Sequence, residues 1–230
     1  MHTSLLRRLF LTAGLATGLA ASAWADPFTI SSGTTSVGVD ADALLASTGL
    51  TIVGSNNTVP PYNASYAVGL PVNPSSSFTF SGDLSLVSGT LEHWGTIDLE
   101  DAGGEIYTIG NFSLRYDESR ATSFLSGLYL VDTYNNFGTL FDIGNFSDLT
   151  INGMSLLVGP ASLFIAPELG ALLVENEFVT QDPTSSAVGT IFFSGSVGAS
   201  SVPDTASVAV TGLAALAFLA AARMRRRFAA

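Results

Sequence analysis

Residues 95–117 read GTIDLEDAGGEIYTIGNFSLRYD, and their apolar and polar side chains alternate with a period of two. Ile97 and Leu99 alternate with acidic residues, a glycine-containing turn follows at 102–104, and the alternation resumes over 112–117. Such alternation is typical of a β-strand with one buried face. The stretch therefore predicts a β-hairpin that folds back at the turn.

The same period continues on both sides of this stretch. Strand pairs are predicted over 77–86, 126–144 and 149–159, with turns near Gly82, near Asn135-Asn136 and at Asn152-Gly153, the last with type I′ residues. Short helices are predicted after Asp40, which caps the first, and at Pro167, which begins the second. The expected fold is all-β, an antiparallel β-sandwich or partly open barrel with two short helices that close one end.

The N-terminal 25 residues have the features of an export signal. Arg7 and Arg8 precede a short apolar run that ends in the small residues Ala23 and Ala25, a cleavage pattern ahead of Asp26. Residues 1–25 are therefore predicted to be a signal peptide. Both the general secretory route and the twin-arginine route stay open, because the paired arginines only partly fit the twin-arginine motif.

The C-terminal residues have the pattern of a membrane anchor. Residues 206–222 carry no charge and would form about 25 Å of helix, near the lower limit for crossing a bilayer. Four arginines, at 223 and 225–227, follow in the basic tail 223–230. The positive-inside rule keeps Arg223, Arg225, Arg226 and Arg227 in the cytoplasm and places the preceding residues across the inner membrane.

A short motif precedes this helix. Val202, Pro203, Asp204 and Thr205 lie within a predicted flexible linker, 196–205, and the proline favours an extended, accessible chain. Motif, helix and arginine cluster together resemble the PEP-CTERM sorting signals of Gram-negative bacteria. The resemblance implies processing by an exosortase-type enzyme and release or transfer to the cell surface. A plain single-pass anchor is the alternative.

The predicted body, residues 26–195, is strongly acidic. Residues 26–202 contain eighteen carboxylates and only two arginines, a formal charge of −16, and the chain has no cysteine. Such a charge disfavours nucleic acid and anionic lipid as partners. A single body of this length can be stabilised by one hydrophobic core without disulfides.

His93 is the one histidine of the body, so a Ser-His-Asp site would need it, and no nucleophile elbow accompanies it. We therefore expect no catalytic residues, no enzymatic activity and no cofactor. The strand pattern of residues 88–99, 107–117 and 126–133 also resembles HtaA-type haem-binding modules. That resemblance implies haem ligation by His93 as an alternative function.

Acidic clusters leave two further alternatives. Asp98, Glu100 and Asp101 are a candidate calcium group, because carboxylates are the preferred ligands of Ca²⁺. Glu92 lies near Trp94 and Tyr107 on the predicted hairpin, as in a carbohydrate-active enzyme. The preferred hypothesis is an exported, surface-directed protein with a structural or interaction role in the envelope or extracellular matrix, where matrix polysaccharide is one expected partner.

Overall fold

The computed structural model of the chain describes residues 28–81 and 87–199. Within them the protein is mostly β-structure with two short helices, which confirms the all-β prediction. The strands are β1 (Phe28–Val39), β2 (Thr51–Asn56), β3 (Val68–Pro71), β4 (Thr79–Phe80), β5 (Val87–Ser88), β6 (Leu91–Glu92), β7 (Thr96–Glu100), β8 (Ile106–Gly110), β9 (Ser113–Tyr116), β10 (Leu125–Asp132), β11 (Gly138–Gly144), β12 (Leu149–Asn152), β13 (Ser155–Ile165) and β14 (Ala187–Ala199). The helices are α1 (Ala41–Thr48) and α2 (Pro167–Glu175), and a 3₁₀ turn covers Glu118–Arg120.

Most strands belong to one curled antiparallel sheet that forms a half-barrel. Its order is β5-β4-β1-β14-β13-β11-β10-β9-β6, with β3 also paired to β1 and β12 to β13. A second, three-stranded sheet has the order β2-β7-β8. Of the two predicted architectures, this is the partly open barrel.

Backbone hydrogen bonds link the two sides of the half-barrel. Val72, just after β3, forms an isolated antiparallel bridge with His93, just after β6. The Trp94 amide donates to the Pro71 carbonyl over 3.0 Å, and the Asn73 amide donates to the Glu92 carbonyl over 2.7 Å. We call this contact, residues 71–73 against 92–94, the seam. It brings β6 against the segment that follows β3, although the two are about twenty residues apart in the chain.

The helices lie at one end of the half-barrel, as predicted. Each follows directly on a strand: α1 begins after β1 and α2 after β13, and those strand ends are near neighbours, since Val39 pairs with Gly189 and Gly189 with Leu163. The Asp40 carboxylate accepts a hydrogen bond from the Ala43 amide and caps α1. The apolar sides of α1 and α2 and the small sheet enclose a cavity of about 70 Å³.

Two predicted hairpins are confirmed, but the prediction for residues 95–117 is only partly right. β10 and β11 pair across Asn135-Asn136, and β7 pairs with β8 across residues 101–105. Residues 113–116, which the alternation placed in the same hairpin, form β9 in the large sheet. Asn111 has φ +44° between β8 and β9, and this left-handed conformation redirects the chain from one sheet to the other.

The turn between β12 and β13 differs in type from the prediction. Asn152 pairs with Ser155, so the two central residues are Gly153 and Met154. Gly153 has φ +60°, whereas Met154 is not among the residues with positive φ. A positive φ at the first central residue alone is the type II′ pattern, which requires glycine there.

The linker assignment of residues 196–199 is wrong. β14 runs to Ala199, and Val197 is only 1% exposed. Residues 195–201 are rich in glycine and serine, a composition that is typical of flexible linkers. A Cβ at Gly195 would collide with the Ser32 carbonyl, so the small residues allow β14 to lie close against β1.

None of the helices within residues 28–81 and 87–199 is long and apolar enough to cross a bilayer. The predictions for both chain ends lie outside the described residues. They are the cleavage residues Ala23 and Ala25, the motif Val202–Thr205, the helix 206–222, and the arginines Arg223, Arg225, Arg226 and Arg227.

Candidate functional site

His93 lies inside the half-barrel at the seam. It follows β6, its side chain is buried, and its backbone amide donates to the Phe112 carbonyl over 2.8 Å. The period of two then places its neighbours outward: Trp94 is 49% exposed, and the Glu92 carboxylate accepts a hydrogen bond from Ser113. The position singled out by the sequence is therefore an interior one.

Both ring nitrogens of His93 are engaged. Nδ1 lies 3.1 Å from the Phe112 carbonyl oxygen, which can only accept, so the chemistry of this pair assigns the proton to Nδ1. Nε2 then accepts from the Thr35 hydroxyl at 2.6 Å. The ring thus joins β1, which carries Thr35, to the segment between β8 and β9.

Burial lowers the pKa of His93 from 6.5 to about 4, because a cation loses its hydration in the interior. The Phe112 carbonyl and the charge of Glu92 act in the opposite direction and offset part of this effect. The ring is therefore neutral at neutral pH, as its two hydrogen bonds require.

The haem alternative requires a nitrogen of His93 that can reach iron. In this conformation the ring presents neither nitrogen to a ligand, since both are hydrogen-bonded to protein groups within the interior. Ligation would need the Thr35 bond or the Phe112 bond to break. The ring as placed does not fit an axial ligand, and the haem hypothesis stays a prediction from the sequence.

Two of the three carboxylates of the calcium hypothesis, Asp98 and Asp101, accept hydrogen bonds from protein groups. Asp98 on β7 accepts hydrogen bonds from Thr108 and Asn56, and Asp101 accepts the amides of Gly103 and Glu105 in the β7–β8 turn. Glu100 lies on β7 between them. Among the described residues, no three His, Asp or Glu side chains are close enough together to hold a metal ion. Asp98 and Glu100 share a face of β7 but lie two residues apart, about 6.6 Å along the strand, and Asp101 follows in the turn.

The carbohydrate-active alternative relies on Glu92, Trp94 and Tyr107. Tyr107 lies in the small sheet, with its ring packed edge to face against Phe178 at a centroid distance of 5.1 Å. Glu92 lies in the large sheet, bonded to Ser113. Glu92 and Tyr107 therefore lie in different sheets.

A cavity beside Thr35 is the feature that sequence reasoning missed. It has a volume of about 150 Å³ and lies in the half of the barrel opposite the helices. Its walls are the inward side chains of both halves of the curled sheet, namely Ile30, Thr35, Phe78, Phe80, Leu91, Leu114, Tyr116, Ser126, Leu128, Ile143, Phe146, Leu156, Val158, Ile191 and Phe193. Alternation identified several of these residues as inward, but only the curl of the sheet makes them face one another.

Comparisons with known proteins assign no family to the chain. No family model matches it, and no curated protein matches it. Among solved structures, the chain is similar to the crystal structure of the C-terminal domain of HtaA from Corynebacterium glutamicum, at 16% sequence identity and a TM-score of 0.48. The match covers 74% of this chain and 99% of that domain. At these values the likeness concerns the course of the backbone and transfers no residue role.

Proposed function

We propose that the chain is an exported, surface-directed protein with a structural or interaction role. Its acidic β-rich body is carried across the inner membrane, held by the C-terminal helix and then processed near Val202–Thr205 by an exosortase-type enzyme. The proposal includes no enzymatic activity. Matrix polysaccharide is the proposed class of partner, because a body of charge −16 disfavours nucleic acid and anionic lipid.

One observation supports this proposal: the first and last strands of the described residues begin and end beside the two predicted processing sites. Phe28, three residues after Ala25, pairs with Ala199, three residues before Val202. β14 is bonded to β1 on one side and to β13 on the other. A cut at either site therefore removes no strand from the sheet and leaves the core intact.

The same pairing gives the body an orientation. Because Phe28 and Ala199 lie at one end of the half-barrel, a tail that follows Ala199 holds the body by that end. Helices α1 and α2 lie at the opposite end. The helix-bearing end is then the part of the body farthest from the point of attachment.

Intact-mass measurement of the protein from culture medium and from membranes tests the proposal. We expect a released species that begins near Asp26 and ends near the motif, and a Pro203→Ala variant that accumulates in membranes with its tail attached. Pro74→Ala, a change at an exposed turn of the body, should be processed like the wild type.

Two outcomes would contradict different parts of the proposal. A wild-type protein that keeps its tail in every fraction would make the C-terminus a plain anchor. A cytosolic protein that still carries residues 1–25 would contradict export itself.

The haem hypothesis can be tested on the same material. Ligation by His93 predicts a Soret band on haem titration that disappears in His93→Ala. A band of equal strength in that variant would show that His93 is not the ligand.

A further inference from the structure

We propose that the 150 Å³ cavity is a binding site for a small, neutral, apolar molecule about the size of one aromatic ring. This inference is independent of how the chain is exported or processed. It rests on three observations: the volume of the cavity, the apolar character of its walls, and the fact that most lining residues belong to strands of one hydrogen-bonded sheet.

The volume matches a single ring. Protein interiors are close-packed and contain few voids larger than a water molecule. A cavity of about 150 Å³ lined by Leu, Ile and Phe in another protein stays dry and binds benzene or xenon. Two further cavities among the described residues are smaller, at about 70 and 40 Å³.

The walls favour an uncharged ligand. Twelve of the fifteen lining residues are aliphatic or phenylalanine, and the polar ones are Thr35, Ser126 and Tyr116. The Thr35 hydroxyl bonds to His93, and the Ser126 hydroxyl donates to the Ile143 carbonyl. Both hydroxyl protons are thus committed, so of these three hydroxyl groups only that of Tyr116 could donate to a charged or strongly polar ligand, which would lose its hydration.

The cavity is held open by the fold. Its walls come from β1, β13 and β14 on one side and from β9, β10 and β11 on the other. These strands are hydrogen-bonded into one curled sheet, so the walls cannot approach without changing that curl. Lining atoms lose dispersion contacts across an empty space, and a ligand of matching size restores them.

Access is expected from the end that the helices do not cover. Tyr116 lines the cavity and is 37% exposed, which places part of the wall at the surface. Ile30 and Phe80 line the cavity near the Phe28–Phe80 pair, at the opposite end of β1 from α1. A small ligand can therefore enter without displacing α1 or α2.

Methyl NMR of the full-length chain in lipid nanodiscs tests the proposal with benzene as the probe. Benzene is supplied at a fixed vapour pressure, which sets its free concentration whatever the lipid content. We expect saturable shifts of the Ile30, Ile143 and Ile191 methyl groups, which line the cavity. Ile97 and Ile109 line the cavity of about 40 Å³, and their methyl signals serve as internal controls that should shift little.

A cavity-filling variant sharpens the test. Val158→Phe puts a ring into the cavity and should weaken benzene binding at least tenfold, whereas Val53→Phe makes the same change on an exposed position of β2 and should bind like the wild type. Unsaturable shifts of equal size at all five isoleucines would overturn the proposal, as would unchanged binding by a folded Val158→Phe. If that variant does not fold, the proposal is judged from the wild type alone, by whether the shifts of the cavity methyl groups saturate and exceed those of the controls.

Discussion

A single buried carboxylate organises the turn between β10 and β11. Asp132 is 1% exposed, and its two oxygens accept the backbone amides of Gly110, Tyr134, Asn135 and Phe137 over 2.7 to 3.3 Å. It therefore fixes the turn and also joins it to β8 in the small sheet. Nothing in the sequence singles out this residue, because its partners are backbone amides that every residue type except proline carries.

Asp132→Ala should lower the free energy of unfolding by about 2 to 3 kcal/mol, because the buried Gly110 amide and three amides of the turn lose a charged acceptor. Urea denaturation of this variant and of Asp148→Ala, a change at an exposed aspartate, measures the difference. Equal stability of the two variants would contradict the role assigned to Asp132.

His93 makes stability depend on pH. Its folded-state pKa of about 4 lies below the ordinary 6.5, so between these values the unfolded chain binds a proton that the folded protein does not. The stability contribution is therefore complete above pH 6.5 and decreases as the pH falls toward 4. The loss amounts to about 3 kcal/mol over the whole range.

Urea unfolding at pH 7 and pH 5 checks this prediction. The wild type should lose about 2 kcal/mol more between these pH values than His93→Gln, which keeps a donor and an acceptor but cannot be protonated. The two proteins have the same carboxylates, so the difference between their losses reports on His93. Parallel losses in the two proteins would contradict a neutral, buried ring.

At the scale of elements, one arginine attaches α2 to the large sheet. Arg120, in the 3₁₀ turn, forms a 2.7 Å ion pair with Asp142 on β11 and a two-pronged one with Glu168 on α2, at 2.7 and 2.9 Å. Its guanidinium also lies 4.9 Å from the centre of the Tyr129 ring. Arg120 lowers the pKa of Glu168, so this part of the attachment is present above the ordinary pKa of that carboxyl and is lost in acid.

Arg120→Gln should cost about 2 kcal/mol of stability, between the values for exposed and buried ion pairs, because Asp142 is left nearly buried without its cation. Arg115→Gln is the matched control, because the Arg115 side chain donates to the uncharged Ser113 hydroxyl. Urea denaturation of both variants compares them. An equal effect of the two changes would show that the ion pairs do not stabilise the attachment of α2.

At the scale of the whole molecule, the first and last strands are direct neighbours. β1 pairs with β14 along almost its full length, from Phe28 opposite Ala199 to Val39 opposite Gly189. The fold is therefore completed only when the last strand joins the first. The end of β14 should matter for stability even though it reads as a linker.

A chain that ends at Ala199 should keep the full stability of the body, whereas one that ends at Gly195 should lose at least about 2 kcal/mol. The shorter chain lacks Val197, whose buried side chain alone contributes roughly this amount. Thermal and urea unfolding of the two chains measure the effect. Equal stability would restore the linker assignment of residues 196–199.

The local features of this protein follow from its sequence alone. The β10–β11 hairpin, the Asp40 cap of α1 and the start of α2 at Pro167 depend on residues within a few positions of each other, so propensity and alternation identify them. The inward placement of His93 also agrees with the alternation, but its partners Thr35 and Phe112 do not follow from it.

Features that join residues far apart in the chain become visible only in the folded structure. The pairing of Phe28 with Ala199, the seam between Val72 and His93 and the cavity between opposite walls join segments that no local pattern relates. The alternation of side chains along a strand indicates which face is buried, but it does not indicate which strand lies beside it. The neighbour is chosen by the packing of the whole core, and the curl that this packing imposes creates both the seam and the cavity.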